Sequence, residues 1–399
     1  MNIDMKLQFI FSLLLAGLTA LPLGAQVDLI NKVKDNQSEN AREGFQWTPV
    51  VDLERTSVKN QGASGTCWSY SSNSFLESEM IRLGKAPVDL AEMFTVRNTY
   101  EEKADRYVRL HGNLNFGQGG ALPDVVDMYG KYGAVPQSAY AGLNYGYDYN
   151  RHGEMEAILK GMLDAVIENK NKRLSPVWKE AYNKVLDVYL GEHPESFEYM
   201  GQTYTPKSFA EEVVGVDADD YIQITSWAHH PMYEQCVILV PDNWTYGQSY
   251  NVAMEDMIEI IDHALENGYS ISWAADVSEK YFSWKNGIAY VPEKDYREMS
   301  AAERENMFNG PKPEAEITVE MRQEAYDNYT TTDDHGMQIV GISKDQNGKE
   351  WYLVKNSWGT GNDYEGYLYV SKNYVRYKTL SFLLHKEAVP SQLRKKMSL

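Results

Sequence analysis

Cysteine is nearly missing: the 399 residues hold two, Cys67 and Cys236. Two thiols allow one bridge at most, so a disulfide-stapled scaffold is excluded and stability must come from packing. Basic charge is also short. Lys and Arg number 38 against 57 Asp and Glu, a net charge of −19, which argues against nucleic-acid phosphates or anionic lipid as partners. Neither a CxxC nor an HExxH spacing occurs, and adjacent His229 and His230 on a strand would face opposite ways, so neither a metal site nor a cofactor is expected. Long apolar runs are lacking too. The best, Phe9 to Leu21, has 13 residues, too few to cross roughly 30 Å of hydrocarbon at about 1.5 Å per residue.

That run follows Lys6 and exits through Pro22-Leu23-Gly24-Ala25-Gln26, the form of a secretory signal peptide over 1–25 cut after Ala25. The mature chain is then expected without a membrane span, exported to a bacterial periplasm or beyond. Residues 26–44 read as a polar, loosely docked leader. From 45 to 399 one domain is expected. Its helical lobe covers about 60–140, a helical insertion about 150–213 and a β-rich lobe about 215–385. Between Cys67 and Leu83, Trp68, Ser71, Ser72, Phe75, Leu76, Met80 and Leu83 recur at helical spacing, so Cys67 should open a helix. Further helices are expected over 121–132 and over 154–190 with a break near Ser175-Pro176. Strands are expected over 237–240, 270–274, 337–342, 351–354 and 366–370, with a turn at Gln346-Asn347-Gly348.

The most informative segment is Lys59-Asn-Gln-Gly-Ala-Ser-Gly-Thr-Cys-Trp68. A thiol at a helix N-terminus is favoured as thiolate by unpaired backbone N–H groups. Gln61, six residues upstream, is placed to join the Cys67 N–H around a developing oxyanion. A nucleophilic thiol needs an imidazole to move its proton and a third group to orient the imidazole. His335, in Asp333-Asp-His-Gly-Met-Gln-Ile-Val-Gly341, stands just before an apolar strand, and Asn356 with Trp358 closes Trp351-Tyr-Leu-Val-Lys-Asn-Ser-Trp-Gly359. Cys236, with Ile238 and Val240 at strand spacing, reads as a buried core thiol.

These segments resemble the papain-like cysteine peptidases from about Phe45 to Leu384. The resemblance implies an α+β, two-lobed fold, a helical lobe against a β-barrel-like lobe, with helical insertions and no cofactor. It implies Cys67 as nucleophile, His335 as general base and acid, Asn356 as its orienter and Gln61 in the oxyanion hole. Gly119 and Gly120, with Trp68 and Trp358, would contact a peptide or protein substrate. Where the family has a cysteine just upstream of the nucleophile, this chain has Ser64.

Cys67 and His335 are 268 positions apart, against roughly 130 to 150 in ordinary papain-like chains. The extra length, with Ile224-Thr-Ser-Trp-Ala-His-His-Pro231 and Val240-Pro-Asp-Asn-Trp244, is similar to the bleomycin hydrolase and aminopeptidase C branch. That branch implies an aminopeptidase and leaves a homo-oligomer open. In it a carboxyl-terminal arm reaches along the cleft; here the stretch from Lys386 to Leu399 is too short to do so, which keeps an endopeptidase as the alternative. A non-catalytic peptide-binding protein of the same fold is a further reading, disfavoured because all four catalytic positions hold competent residues.

Overall fold

The computed structural model describes residues 25–39 and 41–399; the expected signal peptide lies outside them apart from Ala25. Two main cores divide the molecule, one among helices and one on the sheet. The helix Cys67–Arg82 runs between them and is buried from Cys67 to Met80. Phe75, Leu76 and Met80 belong to the helical core. Its serines instead meet the sheet: the Ser72 and Ser272 hydroxyls are 2.9 Å apart and Ser74 Oγ donates to Gln338 Oε1 at 2.7 Å. Gln338 Nε2 donates to Ser78 at 2.9 Å and to Ser270 at 3.0 Å, and Lys355 Nζ to Ser74 at 2.7 Å. Small hydroxyl side chains let helix and sheet approach closely while these seam groups find partners in one another.

The helical lobe adds Glu92–Arg109, Pro123–Tyr132, Gly153–Ile167 and Trp178–Leu190. The break expected near Ser175-Pro176 in the 154–190 stretch falls in the loop between the last two helices, where the residue before Pro avoids the helical region and the second helix resumes at Trp178. Glu92–Arg109 was not anticipated. Its inward face of Phe94, Val96, Tyr100, Ala104 and Tyr107 is diluted by a strongly charged exterior.

The sheet has 11 strands. At its centre His335–Lys344 pairs antiparallel with Glu350–Lys355 on one side and Ile271–Ala275 on the other, His335 opposite Ala275. The expected turn falls where foreseen, with Gly348 in the left-handed region at φ +81°. Thr379–His385 and Tyr221–Thr225 continue the sheet. Met254–Glu266, a helix missed in the sequence, covers it with Met257, Ile258, Ile261 and Leu265. The strand expected over 237–240 lies earlier, at Gln235–Val237. Cys236 on it is buried and free.

Residues 26–44 differ from the loosely docked leader expected. Ala25–Lys34 is a helix whose Ile30 and Val33 enter the sheet-side core. Asn36 Nδ2 donates to the Glu279 and Phe282 carbonyls at 2.9 and 3.0 Å. Polar composition hid the docking because much of the segment is charged and part of its attachment is hydrogen bonding. At the other end, Ser391–Met397 is a helix lying on Met254–Glu266, its Leu393 and Met397 buried; Gln392 Nε2 donates to Glu259 Oε1 at 3.0 Å.

Candidate active site

The loop before the Cys67 helix is closed by its own polar groups. Ser64 Oγ donates to the Gln61 carbonyl at 2.7 Å and lies 2.6 Å from Thr66 Oγ1. A hydroxyl thereby fastens the turn where the resembling family has a cysteine. Gln61, with no exposure, donates from Nε2 to the Ser64 carbonyl at 2.7 Å and accepts at Oε1 from Ser357 Oγ at 2.7 Å. One Nε2 hydrogen remains uncommitted, since an amide carries two. The Gln61 N–H also donates to the Ser357 carbonyl at 2.8 Å. The segment before Cys67 is therefore pinned to the segment carrying Asn356.

His335 begins its strand where strand and helix touch. A methyl group on Gly336 would lie 3.2 Å from Trp68 Cα and 2.8 Å from Ser71 Oγ, so only glycine allows this approach. His335 and Cys67 line the same cleft, with Trp68, Gly120, Asp242, Asp333 and Asp334. His335 Nε2 meets Asn356 Oδ1 at 2.7 Å. An amide oxygen only accepts, so Nε2 carries the hydrogen and Nδ1 the lone pair; Nδ1 is buried and without a partner. Asn356 Oδ1 is held from behind by the Ser357 N–H at 2.7 Å. Trp358 lies on the His335 ring, centroids 4.4 Å apart, and keeps water from that hydrogen bond.

Burial pushes the Cys67 thiol up to about 12 against the lowering effect of the Gly336 and Trp68 backbone N–H groups, with Asp242 and Asp333 adding to the rise. Burial brings His335 down to about 4, opposed by Asn356. Charging either group alone in the closed cleft is costly. A proton passed from Sγ to the imidazole would place opposite charges in one cleft, where they attract.

Gly120 and Trp68 line the cleft, and Trp68 Nε1 donates to the Gln118 carbonyl at 3.0 Å. Gly119 sits behind, its Cα against the Asp242 carboxylate. Sequence reasoning singled out none of Lys103, Asp124, Asp242 and Trp244, although Val240-Pro-Asp-Asn-Trp244 had been noted as a motif. Glu77, Asp89 and Glu92 come close enough to share a cation. Lys59 Nζ already lies among them, 3.2 Å from Glu77 and 2.5 Å from Glu92, so a lysine ammonium fills that place.

The chain is 23% identical over 394 residues to aminopeptidase G of Lactobacillus delbrueckii subsp. lactis, covering 88% of this chain and 86% of that protein. To aminopeptidase C of Streptococcus thermophilus it is 21% identical over 414 residues, covering 91% and 87%. The crystal structure of PepW from Lactobacillus rhamnosis HN001 superposes with a TM-score of 0.68 at 18% identity, covering 94% of this chain and 91% of that one, which shows the shared fold. The model of the Peptidase C1-like family matches residues 85–399. That span includes His335 and Asn356 and begins after Cys67. A match over most of the length, on a papain-like α+β fold, makes the chain a member of the Peptidase C1-like family and a cysteine peptidase.

Proposed function

We propose that the protein is an aminopeptidase that works through Cys67, His335 and Asn356. The observation that carries the triad is the His335 Nε2 to Asn356 Oδ1 contact at 2.7 Å. It leaves the Nδ1 lone pair for the thiol proton in the cleft that Cys67 lines. The names of the relatives support exopeptidase action.

In this reading Sγ gives its proton to His335 Nδ1 and attacks the carbonyl carbon of the first peptide bond. The oxyanion is met by the Cys67 N–H, unpaired at the first turn of its helix, and, as the resemblance implies, by the second Nε2 hydrogen of Gln61. The imidazolium then protonates the leaving amine and the C–N bond breaks. His335 takes a proton from water, whose oxygen attacks the thioester, and Cys67 is released with the amino acid. Comparing an aminoacyl coumarin amide with its N-acetyl form tests the reading. Turnover of the free amine alone is expected, whereas equal turnover makes the enzyme an endopeptidase. Export of the chain is supported by the 1–25 pattern alone, and cell fractionation tests it.

A further inference from the structure

The cleft is lined in part by a loop from the opposite lobe, through Ile238, Val240, Asp242 and Asn243. After Gln235–Val237 the chain crosses to the helical lobe and is fastened there. Trp244 Nε1 donates to Asp124 Oδ2 at 2.6 Å, and Arg106 donates to the Trp244 and Thr245 carbonyls at 3.2 and 2.9 Å. Asn115 Nδ2 donates to the Pro241 carbonyl and to Asp242 Oδ1, both at 3.3 Å. These contacts hold the Asp242 carboxylate against Gly119, where a methyl group on the glycine would lie 1.9 Å from Oδ2. Gly120, the next residue, lines the cleft beside Cys67 and Trp68. A substrate laid along this glycine edge therefore meets a carboxylate where its chain would otherwise continue.

The carboxylate is short of a counter-charge. Lys103 acts on Asp242, but its ammonium is directed to the Gly117 and Gly119 carbonyls. Asp333 lines the same cleft, and its charge opposes that of Asp242. Among the described residues neither carboxylate forms an ion pair. His335 Nδ1, buried and unpartnered, belongs to the same cleft. Burial raises the pKa of both carboxyls, so the pair favours one added positive charge, a proton or a small cation, beside a thiol placed to meet a carbonyl. An α-amino acid residue with a free amino group carries both, two bonds apart.

We propose that Asp242, backed by Asp333, anchors the α-ammonium of the substrate, and that the loop carrying it limits cleavage to the amino-terminal residue. The proposal deepens the aminopeptidase reading and rests on it. An acylated amine brings bulk and no charge to Asp242 and is refused on both counts. The ammonium also offsets the negative field that Asp242 and Asp333 place on Cys67, so a fitting substrate eases formation of the thiolate that attacks it.

The test is Asp242→Asn, assayed with alanyl and N-acetyl-alanyl coumarin amides. Stoichiometric alkylation of Cys67 by iodoacetamide reports an intact site. The variant is expected to lose about 10- to 100-fold in kcat/KM for the free amine, mostly through KM, as loss of a charge-assisted contact implies. The ratio of free to blocked turnover should fall with it. Asp242→Ser serves if the Asn variant does not fold. A ratio unchanged from the unaltered protein overturns the proposal and leaves the aminopeptidase reading standing. Equal turnover of both substrates by the unaltered protein overturns the reading itself.

Discussion

His335 and Asn356 meet at 2.7 Å from two neighbouring antiparallel strands, with Gln338 opposite Lys355 setting the register that brings them together. Asn356→Ala removes the acceptor that fixes the imidazole tautomer. Peptide hydrolysis should fall on the order of 10²-fold, mainly in kcat, as steady-state kinetics would record. An unchanged kcat would remove Asn356 from the catalytic reading.

Cys67→Ala should abolish hydrolysis, with a loss of at least about 10³-fold. The thiol is a small buried group, so stability should change by about 1 kcal/mol. Thermal melting beside the activity assay checks both, and residual turnover in a clean preparation would contradict the assignment.

His152 is fully buried with neither ring nitrogen hydrogen-bonded, and burial brings its pKa down from 6.5 to about 4. The unfolded chain takes up this proton first as pH falls, so the contribution is fully present above 6.5 and is lost toward 4. The loss amounts to about 3 kcal/mol. His152→Phe should flatten that part of the acid limb, while buried His335 keeps its own. Urea unfolding at pH 7.5 and 4.5 measures the difference, and parallel limbs would refute it.

Removing residues 391–399 uncovers the core contacts of Leu393 and Met397. Stability should drop by roughly 3 to 5 kcal/mol, seen as a lower melting temperature. Preference for free over blocked substrates should persist below that temperature, because the terminal helix lies on Met254–Glu266. Loss of preference would mean that the terminus, and not the 238–246 loop, governs access.

Much of the candidate site was legible as local structure, because each part announces itself over a short stretch. Gly-Thr-Cys-Trp before a helical pattern and His-Gly before an apolar strand are short-range signals, and the helix does open at Cys67 and the strand at His335. Asp242 and Trp244 were not legible in this way. Their positions follow from hydrogen bonds to residues more than a hundred positions away, such as Asp124. The docking of 26–44 escaped for the same reason: Asn36 reaches carbonyls 243 and 246 residues distant, and composition records neither. Helix periodicity in Glu92–Arg109 and Met254–Glu266 was present but dense with charge, which lowers its contrast.

The row of serines between the Cys67 helix and the sheet acts as the alignment gauge of the enzyme. An oily contact tolerates sliding, because apolar attraction has no direction, whereas Ser72, Ser74 and Ser78 each hydrogen-bond to side chains at fixed places on the sheet. A slip of one residue in the His335 strand would turn the imidazole to the opposite face and break these bonds together. Cys67 and His335 come from different lobes, so their mutual placement is set at this seam, a helical turn or more away from the cleft they share.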